Sequence, residues 1–262
     1  MNLNLSGYRA LVCGSSDGIG KATAHELARM GATITLLARN GTKLAAVQQE
    51  LSTSHKQDHD YLVADFDDPI ALEATLADAL SRGAQYDILV NNTGGPPAGP
   101  AHKALVEEYV TAFRRHLLAN QIITQLLLPG LKNSANGRII NVISTSVKAP
   151  LPNLGVSNTV RGAVANWAKT LSLELGEFGI TVNNVLPGAT ETGRLSSIIE
   201  KKAEKTGTST QEASDAMTAQ VPLKRFAQPE EIANAIAFLA SPAGAYISGV
   251  NLPVDGGRTP NL

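Results

Sequence analysis

The run Cys13-Gly14-Ser15-Ser16-Asp17-Gly18-Ile19-Gly20 follows an apolar β-type segment and opens directly onto helix-period sequence. Glycines in such a turn let main-chain N–H groups approach a pyrophosphate closely, and the positive N-terminal end of the helix favours its charge. A second signal lies at the end of the next β-type run, Leu36-Leu37-Ala38-Arg39-Asn40. A carboxylate there accepts hydrogen bonds from the ribose hydroxyls of NAD, whereas a basic group pairs with a 2′-phosphate. Ala38 stands where the acid belongs and Arg39 follows it, so the expected dinucleotide is NADP(H). The plainer alternatives are a tight turn without ligand and a surface arginine. Further along, His116 carries an imidazole that ordinarily titrates near neutrality. Ser157 and Arg161, four residues apart, share one helix face.

Elements that position these residues are readable from periodicity. Short apolar runs at 8–13, 33–38, 60–65, 88–91, 138–144, 181–186 and 250–254 read as strands. Helix-period segments at 19–30, 42–51, 70–81, 107–128, 156–178 and 229–239 alternate with them. Gly31, Gly83 and Gly179 fall where helix C-termini are expected. The alternation predicts an α/β fold, a doubly wound parallel sheet of seven strands in one domain over 1–262. Two segments break the rhythm. The proline-rich stretch 94–100 reads as a loop, and the polar stretch 189–228, with Lys201, Lys202 and Lys205, reads as a substrate lid or a solvated helical hairpin.

Composition narrows the function classes. With 22 Lys+Arg against 23 Asp+Glu, there is no basic field to hold nucleic acid. No long apolar run suits a membrane span, and one cysteine forms no intrachain disulfide and no cysteine-rich metal site, so the expected setting is cytoplasmic. A small-molecule substrate is the expected partner.

The glycine turn resembles that of the short-chain dehydrogenase/reductase family, Thr-Gly-x-x-x-Gly-x-Gly, with Cys13 in place of the Thr. The resemblance, to 3-oxoacyl-(acyl carrier protein) reductases in particular, extends over nearly the whole chain. It implies that Asp65 contacts adenine and that Asn91-Asn92-Thr93-Gly94, similar to the family's Asn-Asn-Ala-Gly, passes the cofactor. Pro187-Gly188-Ala189-Thr190-Glu191-Thr192 resembles the Pro-Gly-x-x-x-Thr stretch beside the nicotinamide, where Thr192 would bond the carboxamide. Ser248-Gly249 and Val254-Asp255-Gly256-Gly257 resemble the closing strand and turn.

The resemblance also implies a catalytic Asn, Ser, Tyr and Lys, and here the sequence departs from it. Alignment places Ser144 at the Ser, Ser157 at the Tyr, Arg161 at the Lys and His116 at the Asn, with Asn120 one turn further on. None of the five tyrosines, Tyr8, Tyr61, Tyr86, Tyr109 and Tyr246, stands at position 157. An aliphatic hydroxyl is a weaker acid than a phenol of pKa about 10 by several units, each unit being roughly 1.36 kcal/mol. Arg161 keeps a positive charge but does not release its proton. It is either a site residue, bonding cofactor ribose hydroxyls, or a rim residue among Val156, Val160 and Val164. His116 is either the replacement acid or a histidine satisfied by packing.

Two functions fit this pattern, and a third stays open. The first is an NADP(H)-dependent oxidoreductase that reduces a carbonyl compound, with Ser144, Arg161 and His116 acting on the oxygen and Ser157 lining the pocket. Arg161 and the lid lysines hint at an acidic or phosphorylated substrate. The second is a catalytically inactive NADP(H)-binding protein of the same fold. The third, a structural protein using no cofactor, requires Gly14, Gly18 and Gly20 to be idle. By family analogy the chain forms dimers or tetramers through segments 107–128 and 156–178, although burial within one chain also explains their apolar faces.

Overall fold

Strands β4 (Ile88–Asn91) and β5 (Arg138–Val142) are buried at every position, the condition met at the centre of a sheet covered on both faces. They share one parallel sheet with β1 (Arg9–Cys13), β2 (Thr33–Ala38), β3 (Asp60–Val63), β6 (Thr181–Pro187) and β7 (Asn251–Val254). The computed structural model describes residues 1–261 and orders the seven strands β3-β2-β1-β4-β5-β6-β7. The chain reverses its direction of winding between β1 and β4. A crevice therefore opens beyond the C-terminal ends of those two strands, where ligands of such sheets bind.

Alternate residues feed two cores. Ala10 and Val12 of β1 join Leu27, Ile34, Leu36 and Ile236 on the face covered by helices α1 (Gly18–Arg29), α2 (Gly41–Glu50) and α9 (Pro229–Ala240). Leu11 and Cys13 join Leu72, Ile123, Leu127 and Val182 on the other, under α3 (Pro69–Ser81), α5 (Ala119–Asn133) and α6 (Gly155–Glu174). Asp17, Asn40 and Asp68 cap α1, α2 and α3 by accepting hydrogen bonds from the main-chain N–H groups of Gly18, Lys43 and Ala71. Gly31, Gly83 and Gly179 adopt positive φ at helix ends, as their spacing predicts.

Four asparagines, three of them buried, link the C-terminal half of the sheet. Asn91, Asn141, Asn184 and Asn251 stand in register on β4 to β7. Each amide nitrogen of the first three donates to the next carbonyl oxygen, at 2.9, 3.0 and 2.8 Å. Unpaired amides here would cost about 1–3 kcal/mol each, so the ladder fixes the strand register from within.

The expected helix 107–128 is divided. Helix α4 (Val106–Phe113) passes into a π-helical turn, Arg114–Leu118, and then into α5. A π turn inserts an extra residue and re-aims the side chains within it, here His116. Helix α5 runs on through Pro129 to Asn133. Near a helix end, proline only deprives Gln125 of a donor. The third strand stops at Val63 and the fifth at Val142, leaving Asp65 and Ser144 in the loops beyond them. The stretch 189–228 contains α7 (Gly193–Thr206) and α8 (Thr210–Thr218). Its neck is closed by Glu191 N–H donating to Ala227 O at 2.8 Å and Ala227 N–H to Ala189 O at 2.9 Å. Among the described residues no helix is long and apolar enough to cross a membrane.

Candidate active site

The glycine turn is shaped by close approach. Gly14 and Gly18 adopt φ of +60° and +52°, conformations that favour glycine. A side chain at Gly14 would place Cβ 2.6 Å from the Asn92 carbonyl oxygen. One at Gly20 would strike the Gly14 carbonyl. Asn92 staples the turn to the end of β4 by donating to Cys13 O and Gly14 O, both at 3.3 Å. The bracing role thus belongs to Asn92, which the motif alone does not distinguish from its neighbour. Asn91 is 2% exposed and committed to the asparagine ladder, so its amide does not reach the crevice.

Ser15 is likewise turned inward, its Oγ accepting from Leu37 N–H at 3.0 Å. Ser16 is half-buried, Asp17 is committed as the α1 cap and Ile19 packs on the core. What remains at the surface of the turn is glycine and the uncovered start of α1, a cradle that a phosphate fits and a side chain does not. Cys13 beneath it is buried, and burial pushes its thiol up to about 12, so it is inert.

Arg39 lies at the mouth of β2, with its guanidinium 4.0 Å from Asp65 beyond β3. Arg39 is exposed, while half-buried Asp65 accepts from Asp67 N–H at 3.1 Å. Across the crevice, Thr93 and Gly94 begin the loop that leaves β4, and a Cβ at Gly94 would meet nothing within 4 Å. Pro187 ends β6, and Gly188 lies so near β7 that a Cβ there would sit 2.8 Å from Asp255 Cα. Thr192 comes within contact distance of the glycine turn, 3.1 Å from where a Gly18 Cβ would be. The glycine turn and the Pro-Gly-x-x-x-Thr stretch therefore meet over one crevice.

Ser144 lies in the loop after β5, Ser157 and Arg161 on α6 and His116 in the π turn, and Arg161 is near enough to His116 for its charge to act on the imidazole. Ser144 caps a short 3-10 turn, Thr145–Val147, its Oγ accepting from Ser146 N–H at 3.1 Å. That leaves its hydroxyl proton available for donation. Ser157 and Arg161 lie on the buried face of α6, 7% and 8% exposed. The Arg161 guanidinium donates to the Val142 carbonyl at 2.9 Å, at the C-terminal end of β5. Desolvation, helped by Arg194, lowers its pKa to about 10, and no carboxylate compensates.

His116 departs from its expected role. It is buried, and neither ring nitrogen has a hydrogen-bond partner within the protein. Burial, with Arg161, Arg115 and Arg194 nearby, pushes its pKa down to about 2. The imidazole is neutral at physiological pH and cannot act there as an imidazolium acid; it can still present an N–H to an oxygen. Asn120, one turn on, is also buried.

Arg194, in the first turn of α7, was not among the residues singled out from sequence. It donates to the Gly95 and Pro96 carbonyls at 2.8 and 2.9 Å, joining the segment after β6 to the loop after β4. A cation in the first turn of a helix, where the dipole disfavours it, was the available signal.

Comparison with known proteins agrees with this geometry. Residues 14–259 match the enoyl-(acyl carrier protein) reductase family model. The chain is 32% identical over 250 residues to a putative ketoacyl reductase of Streptomyces coelicolor, covering 95% of each. It is 34% identical over 257 residues to the 3-oxoacyl-(acyl-carrier-protein) reductase of Vibrio cholerae, covering 97% of this chain and 98% of that one. The crystal structure of L-sorbose reductase from Gluconobacter frateurii, complexed with NADPH and L-sorbose, superposes with a TM-score of 0.93 at 30% identity, covering both chains fully. With the glycine turn, the sheet order and these matches spanning almost its whole length, the chain belongs to the short-chain dehydrogenase/reductase family of oxidoreductases.

Proposed function

We propose that the protein is an NADP(H)-dependent oxidoreductase that interconverts a carbonyl compound and its alcohol by a constellation other than the family's usual Tyr and Lys. The observation that carries it is Arg161, a buried cation without an anionic partner, held at the end of β5 beside Ser144. Gly14, Gly18 and Gly20 leave room for the pyrophosphate. Arg39 is placed for the 2′-phosphate, Asp65 for adenine, and Thr93, Gly94, Pro187, Gly188 and Thr192 border the nicotinamide side. NADP(H), when bound, supplies the hydride.

The residues of this chain orient and polarise. The Ser144 hydroxyl donates to the substrate oxygen, its proton being left available while one of its lone pairs accepts from Ser146 N–H. Arg161 stabilises the negative charge that develops on that oxygen, and such preorganised electrostatic stabilisation is usually the main source of rate enhancement in sites of this kind. Neutral His116 adds an N–H, in the manner of a side-chain amide rather than of an acid. Ser157 lines the pocket, and the proton that completes the alcohol comes from water. The stretch 189–228 serves as a lid on the same 1–262 domain, hinged at the Thr190–Ala227 bridge.

A second reading is a nucleotide-binding protein without turnover. It is favoured by His116, because the obvious replacement acid does not ionise near neutral pH. Titration with NADPH and NADH, followed by turnover assays on a panel of ketones and aldehydes, separates the two. Tight NADPH binding with turnover in the native chain supports the enzyme. Turnover appearing only in Ser157→Tyr/Arg161→Lys supports the second reading, and failure to bind either nucleotide defeats both.

The exposed apolar residues Val106, Val110 and Leu118 favour a homo-oligomer built on α4 and the turn after it. Val164 is fully buried within the chain and has no part in such a contact. The one cysteine, buried and unreactive, suits a reducing cytoplasm.

A further inference from the structure

Arg29, Arg39, Arg82, Arg115 and Arg225 each lie beside a carboxylate. Arg161 and Arg194 do not; buried Arg138 also lacks one among the described residues, but Arg161 and Arg194 differ from it in that the charge of one bears on the other. Among the described residues no acidic side chain pairs with either, and the charge acting on Arg161 is that of Arg194 itself. Two like charges brought together without a counter-ion cost stability, and such an arrangement persists where an anion is to be received.

The sheet order shows where that anion goes. Arg194 starts in the segment after β6 and ends on Gly95 and Pro96 after β4, so its side chain crosses above β5, which lies between them. Beneath it, at the end of β5, the Val142 carbonyl holds the Arg161 guanidinium. The loop that Arg194 grips closes on the start of α6 through Gly99 N–H to Asn153 O at 2.8 Å and Gly155 N–H to Gly99 O at 2.9 Å. Thr192, in the cap position of α7, does not cap the helix with its side chain and donates instead to Thr190 O at 3.3 Å. The free N–H groups of the first turn therefore add to the positive field. The lid lysines expected to meet an acidic group lie further along α7, Lys201 and Lys205 being exposed, about 10–16 Å from Arg194 along the axis.

We propose that Arg194 is a substrate-specificity residue that receives an oxyanion, carboxylate or phosphate, carried by the carbonyl substrate, with Arg161 behind it at the reacting oxygen. This rests on the NADP(H)-dependent reading above. Arg194 remains solvent-exposed at the mouth of the crevice, so the anion meets it on entry. Its two carbonyl tethers hold the fork in place and reduce the ordering cost on binding.

The test is isothermal titration of the full chain saturated with NADP+, a dead-end complex in which a carbonyl probe binds without being reduced. Acetoacetate is compared with methyl acetoacetate, and dihydroxyacetone phosphate with dihydroxyacetone. The expected result is about tenfold or greater preference for the anion in one pair, which identifies the oxyanion. Arg194→Gln, which keeps hydrogen-bond donors for the Gly95 loop but drops the charge, abolishes that preference, and Arg194→Lys retains part of it. NADP+ affinity changes less than about twofold in both. No anionic preference in either pair overturns the proposal, as does an Arg194→Gln chain that instead loses NADP+ affinity, which would assign the guanidinium to the cofactor. Failure of the native chain to bind NADP+ at all refutes the cofactor reading, a separate outcome.

Discussion

Around Gly14 the polar groups have partners: Asn92 bonds the turn, Ser15 holds β2 and Asp17 caps α1. Around Arg161 they do not: both His116 nitrogens are buried without partners, within reach of two cations, Arg161 and Arg194, that face no carboxylate among the described residues. The first region is built by steric fit and is satisfied before any ligand arrives. The second stores uncompensated charge and hydrogen-bonding capacity, as expected of a surface complementary to something that is polar and negative during reaction. Under the proposed function, binding and chemistry are thus supported by opposite devices.

The sharpest attack on the first side is Gly20→Ala. Its methyl has no space against the Gly14 carbonyl, and the turn must distort. NADPH affinity, followed by quenching of protein fluorescence, is expected to fall by about 100-fold or more, while ellipticity stays native. An unaffected affinity would break the claim that steric fit builds this region.

On the second side, Arg161→Met is expected to move activity and stability in opposite directions. Turnover falls by about 10²–10³ as charge stabilisation is lost. The urea midpoint rises by an amount equivalent to about 1–2 kcal/mol, because an unpaired buried cation has been removed. A parallel loss of both would mean that Arg161 is structural.

Asn141→Val probes the ladder that joins the two sides. It leaves the Asn91 amide and the Asn184 carbonyl unpaired and should lower unfolding free energy by about 2–4 kcal/mol in urea denaturation. His116 gives a smaller, pH-dependent effect. Its folded pKa of about 2 lies below the unfolded 6.5, so the unfolded chain takes up the proton first. Stability is therefore full above pH 6.5 and declines as pH falls, by up to about 1.4 kcal/mol per unit. Urea titrations at pH 7 and pH 5 should show this slope, and His116→Asn should reduce it. The mildest change is Arg39→Ala, with NADPH affinity reduced about tenfold and NADH affinity unaltered, since the exposed guanidinium acts only on the 2′-phosphate. Equal losses for both cofactors would remove Arg39 from phosphate recognition.

Much of the fold was legible because its signals are local. Strands 33–38 and 88–91 agree residue for residue with β2 and β4, and the neck of 189–228 closes where the composition changes. The break in the helix at 114–118 was not legible, since a π turn leaves hydrophobic periodicity nearly intact on either side. Asn91 departs from its expected place for a related reason: its side chain points along the strand alternation into the ladder, and only Asn92 reaches the turn. The residues proposed for the cleft come from register with a family, which does not carry their chemistry. His116 reads as an acid by residue type, and burial beside arginines reverses that.

The sequence by itself determined the alternation of strands and helices, the glycine turn with Arg39 at the end of the following strand, and the absence of a tyrosine at position 157. Those are consequences of residue type and spacing, which act over a few positions. Only the tertiary structure decided that Arg194 crosses β5 to stand over Arg161, that four asparagines form one ladder and that His116 stays neutral. Burial, strand order and the sum of charges from distant elements set these outcomes, and none of the three is a property of any local stretch of chain.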